Sequence, residues 1–272
     1  MPLRKLLLAG IILAVAGAGC SRLTFVRPKG GMKEIEVPKS TYHVRDSKAT
    51  QLRLEERESL GLSEQRLRVG DLDAAEREAN KALKLNPDSA DAHTLLAIVA
   101  GRRGQGEAAG EHYRRAAELS PNSGSMLNNY GAWLCSNGHA AEALVWFDRA
   151  LAAPGYAAPA SALANAGGCA LQTGQYERVE PDLRKALSLD PTNAYALVSM
   201  ARNEYRLGHF MDARAFAERR LAAAPADASV LQLAADIETK LGDRAAAEKY
   251  RQRLRAEFPD AAAASSGDTA RP

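Results

Sequence analysis

The chain has 272 residues, of which 46% are hydrophobic, 25% charged and 6% aromatic. Alanine occurs 54 times, a composition that favours helices packed through small side chains and argues against a large sheet. The formal charge of +3 is too small for a nucleic-acid binder, and nothing marks the bulk of the chain as disordered, collagenous or polytopic.

The first segment reads as an address. Met1 to Lys5 is a short positive start, Leu6 to Ala16 is an apolar run, and Gly17-Ala18-Gly19 leads into Cys20. The apolar run is too short to span a bilayer, so residues 1–19 are expected to be a signal peptide. A cysteine directly after small residues resembles a bacterial lipobox, in which that cysteine is lipidated and becomes the first mature residue. Gly17 departs from the usual Leu of that pattern, and ordinary cleavage with an unmodified Cys20 is the alternative. Ser21 at the second mature position, by resemblance to Gram-negative sorting rules, directs the chain to the periplasmic face of the outer membrane. Residues 20–50 then form the lipidated N-terminus and a linker. Pro28, Gly30-Gly31 and Pro38 interrupt it, and it holds no sustained helical or strand period. Its extended reach is on the order of 100 Å. The charge is uneven: residues 1–20 carry +2 and residues 21–50 carry +4, which leaves −3 on the remainder. The basic segment can lie against anionic headgroups or act as a solvated tether.

From residue 51 to 261 the chain repeats itself. Glycine recurs at Gly70, Gly104, Gly138, Gly174, Gly208 and Gly242, spaced by 34 residues except for one spacing of 36. Proline follows at Pro87, Pro121, Pro154, Pro191, Pro225 and Pro259. The glycine suits a left-handed cap on a first helix, and the proline ends a second. Position 8 of each unit is small (Ser63, Ala97, Gly131, Gly167, Ala201, Ala235), and position 20 reads Ala75, Ala109, Ala143, Val179, Ala213, Ala247. Larger side chains (Tyr113, Phe147, Leu183) hold position 24 of the middle units. A 34-residue helix pair of this pattern is the tetratricopeptide repeat. The predicted fold is all-α, a right-handed superhelical solenoid of six repeats at 56–89, 90–123, 124–157, 160–193, 194–227 and 228–261. Arg251 at position 24 of the last unit suits a polar terminal cap. Residues 262–272 read as a disordered tail.

Such a solenoid presents the first helix of each unit on a concave face. Asn129 and Asn165 fall at position 6 of adjacent units, where side-chain amides can hold an extended peptide backbone or simply satisfy neighbouring groups. Tyr195, Arg202, Tyr205 and Arg206 of unit five share that face, as hot-spot residues or as packing. Leu60, Leu67, Thr94, Leu95 and Ile98 give units one and two an apolar inner surface, either a second groove or the face on which the linker folds back. Cys135 and Cys169 lie in the first helices of units three and four, and two readings stand for them, a disulfide or two buried thiols. His139 makes a metal suggestion that no second Cys–His pair supports. No Gly-rich phosphate loop, His–Glu metal motif or nucleophile elbow is present, so no enzyme, cofactor, metal or small-molecule substrate is expected.

The stretch Leu127-Asn-Asn-Tyr-Gly-Ala-Trp-Leu-Cys135, followed by Pro154-Gly-Tyr156 with Pro159 and by Asn165-Ala-Gly-Gly-Cys169, goes beyond a generic repeat. With the lipobox and six units it resembles the type IV pilus biogenesis/stability lipoproteins of the PilF/PilW family. That resemblance implies an outer-membrane lipoprotein lidipated at Cys20, with Cys135 and Cys169 as its paired cysteines. It further implies a secretin subunit as protein partner, in a pilotin role that promotes secretin localisation and multimerisation, or a role in pilus stability. The competing expectation is a generic repeat scaffold serving outer-membrane protein assembly or envelope maintenance.

Overall fold

The structure, a computed structural model, describes residues 47–261. The expected signal peptide, Cys20, the linker up to residue 46 and the tail at 262–272 lie outside the described residues. Among the described residues there are twelve helices and no strand. Unit one is α1 (Lys48–Arg68) with α2 (Leu72–Leu85), and unit two is α3 (Ala90–Arg102) with α4 (Gly106–Leu119). Unit three is α5 (Gly124–Ser136) with α6 (Ala140–Ala152), and unit four is α7 (Pro159–Thr173) with α8 (Tyr176–Leu189). Unit five is α9 (Ala194–Leu207) with α10 (Phe210–Ala223), and unit six is α11 (Ala228–Leu241) with α12 (Arg244–Glu257). None of these helices is long and apolar enough to cross a membrane.

Local chemistry sets the boundaries. All six repeat glycines hold positive φ, between 73° and 86°, a conformation that costs other residues about 1 kcal/mol or more. Each of the six repeat prolines stands two residues beyond the end of a second helix. Asp71, Ser89, Asn193, Asp227 and Asp243 accept a hydrogen bond from the backbone N–H three residues on, capping their helices. One boundary differs from expectation. Helix α1 begins at Lys48, inside the segment read as linker, because Ser47 caps it and accepts from the N–H of Thr50. The good helix formers Gln51 to Glu56 then carry it forward.

Within a unit the two helices pack antiparallel. Between units, the second helix of each packs on the first helix of the next. First helices also meet, least closely at the joint of units two and three, so they form an inner layer with the second helices outside. The small residues at positions 8 and 20 are buried in every unit. Volumes compensate at that contact. A Cβ added to Gly131 would stand 2.8 Å from Cε1 of Phe147, and one added to Gly167 would stand 2.7 Å from Cγ of Leu183. Glycine at position 8 therefore admits a large residue at position 24. Units one and five pair Ser63 with Ala79 and Ala201 with Ala217 instead. At Gly110 of α4 the notch receives the indole of Trp133, whose Nε1–H donates to the Gly106 carbonyl at 3.0 Å. Outer-layer ion pairs add stitches between units, notably Arg178 with both oxygens of Asp148 at 2.8 and 3.0 Å. Pairs this exposed contribute roughly 0.2–1 kcal/mol each.

Unit two contains a titratable contact. Nδ1 of His93 on α3 lies 3.0 Å from Nδ1 of His112 on α4, so one imidazole donates and the other accepts. Burial holds both below the ordinary histidine pKa; the neighbouring His112 and Arg115 press His93 further down, while Asp88 pulls it up. Glu111 partly offsets the burial of His112. Depressed folded values mean that the unfolded chain binds more protons near and below pH 6.5, the ordinary value. The contribution is thus complete above about pH 6.5 and falls away as pH drops through the lower folded values. Thermal melts from pH 7.5 to 5 should show a loss of stability that His93→Gln reduces. An identical pH profile in that variant refutes the assignment.

Candidate partner-binding face

The inner layer carries a hollow of about 350 Å³ between α1 and α3. Leu67, Thr94, Leu95 and Ile98 line it, four of the residues expected on the apolar inner surface. Leu67 and Leu95 are themselves almost fully buried and belong to one cluster with Leu96, Val99, Ala75 and Ala79 under the hollow. Leu60, expected to line the same face, packs against that cluster and is not among the lining residues. Acidic Glu64 and Asp91 and basic Arg68 and Arg102 surround the apolar floor. Arg102 also donates to the Leu67 carbonyl, which ties the end of α1 to α3. Thr94 Oγ1 donates to the Ala90 carbonyl and reaches Met126 Sδ at 3.0 Å, linking this hollow to α5 of the next unit. An apolar floor within a mixed polar rim is the usual form of a protein-recognition site.

In units three and four the amides are arranged differently from the expected ladder. Asn165 Nδ2 donates to Oδ1 of Asn128 at 3.0 Å, not to Asn129. Asn128 is buried; it too stands at an inner-face position of its helix, but the repeat pattern pairs like positions and so pointed to Asn129. Asn129 is half-buried, and its amide has no hydrogen-bond partner among the described residues. Asn165 thus joins two first helices, while Asn129 retains both its donors and its acceptor.

The unit-five residues divide in the same way. Tyr195 is wedged against Gly168, where an added Cβ would stand 2.6 Å from its Oη, and burial raises its phenol pKa. The Tyr205 ring meets Phe210 edge-on at 5.5 Å and packs on the buried cluster of α9 and α10. Arg206 lies 3.7 Å over the Tyr176 ring and donates to Asn203. Arg202 is exposed and donates to Ser229 Oγ at 3.1 Å. Tyr205 chiefly fills space, whereas Tyr195 remains 38% exposed and Arg202 keeps an exposed guanidinium on the inner face.

Cys135 and Cys169 come together at the α5–α7 contact, with Cα atoms 5.9 Å apart and sulfurs at bonding distance. Both belong to the largest buried cluster. They occupy unlike repeat positions, 12 and 10, and the longer connection at 153–158 between α6 and α7 accompanies that offset.

Comparison with known proteins agrees with this geometry. Residues 60–124 and 170–237 match two family models, each described as tetratricopeptide repeat. Over 193 residues the chain is 26% identical to the type IV pilus assembly protein PilF of Pseudomonas aeruginosa, covering 71% of this chain and 77% of that protein. The crystal structure of PilW, described as a widely conserved type IV pilus biogenesis factor, superimposes with a TM-score of 0.68 at 29% identity. That match covers 75% of this chain and 94% of PilW. The solved structure of P. aeruginosa PilF gives a TM-score of 0.67 at 25% identity, covering 77% of this chain and 95% of PilF. The fold and the repeat matches make this chain a tetratricopeptide-repeat protein. Within that class it is a homologue of the type IV pilus biogenesis proteins PilF and PilW.

Proposed function

We propose that the chain is an outer-membrane lipoprotein of type IV pilus biogenesis, anchored through lipid on Cys20 and facing the periplasm. Its inner repeat face binds the secretin subunit and promotes that subunit's outer-membrane localisation and multimerisation. The observation that carries this reading is kinship with PilF and PilW along nearly the whole repeat array.

The hollow of units one and two supplies the means. An apolar partner segment seated over Ile98, above the almost fully buried Leu67 and Leu95, releases water from both surfaces, at roughly 25 cal/mol per Å² of apolar area. Glu64, Asp91, Arg68 and Arg102 around it reject a segment whose charges do not match. Asn129 on the same layer offers paired donors and an acceptor to a peptide backbone. Covering an assembly surface of the secretin subunit would suppress premature association, and the lipid would fix where that surface is released. Acyl chains contribute about 0.8 kcal/mol per buried CH₂, so a multiply acylated Cys20 holds the chain on its membrane.

Fractionation of a deletion strain tests the proposal. Heat-stable secretin multimers should vanish, or the secretin should remain in the inner membrane. Multimers that form normally in the outer membrane would refute it and move the protein's action to a later step. Cys20→Ala should yield a folded chain that binds the secretin subunit with unchanged affinity but is released from the outer membrane. Lost affinity in that variant would refute the separation of anchor from binding face.

A further inference from the structure

The repeat equivalence of units five and six brings out an anomaly. Glu238 of α11, at position 11 of unit six, is 3% exposed and is neutralised by Arg214, which donates to both its oxygens, Nε to Oε1 at 2.8 Å. Arg214 stands at position 21 of the preceding unit. One unit earlier, position 11 is Glu204 of α9, which is 6% exposed. The slot that should supply its arginine, position 21 of unit four, is Glu180. A buried carboxylate therefore shares a groove with a second carboxylate at the slot where the next joint provides an arginine. Glu180 is itself paired with Arg184 on its own helix, Nε to Oε1 at 2.6 Å. The only hydrogen bond of the Glu204 carboxylate among the described residues is with His209 Nδ1, at 2.9 Å from Oε2. A buried carboxylate is costly unless opposite charge compensates it.

We propose that Glu204, His209 and Asp212 hold a divalent transition-metal ion of the zinc class, which takes the place filled by Arg214 at the next joint. One ligand atom from each of the three residues lies within 4.8 Å of the others. They come from the end of α9, the cap of α10 and its first turn. The left-handed Gly208 (φ 82°) fixes the tight turn between those helices. An imidazole with two carboxylates suits zinc and its neighbours, whereas magnesium and calcium take oxygen ligands alone. The site opens into a groove of about 350 Å³, lined also by Glu180, Arg184, Leu207 and Phe216, so water can complete the coordination shell. Glu180 is neutralised at the same groove by Arg184, so the charge left to balance is that of Glu204 and Asp212. Binding would pin α9 to α10 and neutralise the joint between units four and five.

Calorimetry on the full chain, stripped with chelator and titrated with ZnCl₂, tests this. One saturable site is expected, together with a rise in Tm in zinc that magnesium does not reproduce. Cobalt(II) in place of zinc should give visible d–d absorption. His209→Ala should weaken zinc binding at least tenfold. Asp212→Asn, an exposed change that leaves the fold intact, should weaken it by a similar factor. Glu204→Gln should abolish the site and, by removing the buried charge, leave the metal-free protein at least as stable as the parent. Absence of saturable zinc binding would overturn the proposal. So would binding that survives in both His209→Ala and Asp212→Asn, or that is lost instead in His93→Ala, which would assign it to the imidazole pair of unit two.

Discussion

Ile98→Asp should cost this protein at least 30-fold in affinity for the proposed secretin partner, while helicity by circular dichroism is unchanged and Tm falls by only a few degrees. Ile98 lines the hollow between α1 and α3 and is half-buried, packed against Leu67 and Leu95 on one side and open on the other. A carboxylate there stays hydrated in the free protein, so folding is only mildly affected. A bound partner must strip that hydration, and the rim charges of Glu64, Asp91, Arg68 and Arg102 already sum to zero, so the added carboxylate leaves an excess negative charge in the hollow. Central hot-spot losses of 2 kcal/mol or more correspond to about 30-fold in affinity. Val145→Asp supplies the control. Val145 is 57% exposed on α6 in the outer layer, so the same change there should alter binding less than twofold. Retention of full affinity by Ile98→Asp would show that the secretin subunit does not use this hollow. Equal losses in both variants would point to a non-specific charge effect.

Much of this architecture was legible because its determinants are local. A glycine that must adopt positive φ and a proline that cannot continue a helix act on their own backbone, so their 34-residue recurrence reports the helix pairs directly. The apolar hollow was legible for the same reason: Leu67, Thr94, Leu95 and Ile98 are set by helical register within single helices. What escaped depends on how one unit sits against the next. Asn165 meets Asn128, one step of about 100° around the helix from the expected Asn129, because the register of α7 against α5 follows the longer connection at 153–158. Trp133 fills a notch at Gly110 in the preceding unit, which no pattern within either unit announces. The start of α1 was misplaced because Ser47 and a run of good helix formers extend a helix beyond its repeat. The Glu204 anomaly became visible only when the structure aligned position 21 of one unit with position 11 of the next.

The joint of units three and four is where covalent chemistry should weigh most. With Cys135 and Cys169 bridged, the closed loop spans 34 residues, for which the chain-entropy model gives about 3–4 kcal/mol, although the balance of entropy and enthalpy in such bonds is disputed. In a domain of this size each kcal/mol corresponds to about 2–4 °C, so loss of the bridge should lower Tm by about 10 °C. Dithiothreitol on the parent protein, Cys135→Ala and Cys169→Ala should all give nearly the same decrease, since each opens the same loop. Adding dithiothreitol to either variant should produce no further change. If the sulfurs are separate thiols, dithiothreitol will leave the parent melt unmoved, and both will be alkylated by iodoacetamide in unfolded, unreduced protein. The bridge and the Asn128–Asn165 hydrogen bond join the same two helices, α5 and α7. Opening the bridge should therefore leave the amide pair alone to hold the inner layer at this joint. Faster amide exchange should then appear first in α5 and α7, while units one and six stay protected, because each repeat depends directly only on its neighbours.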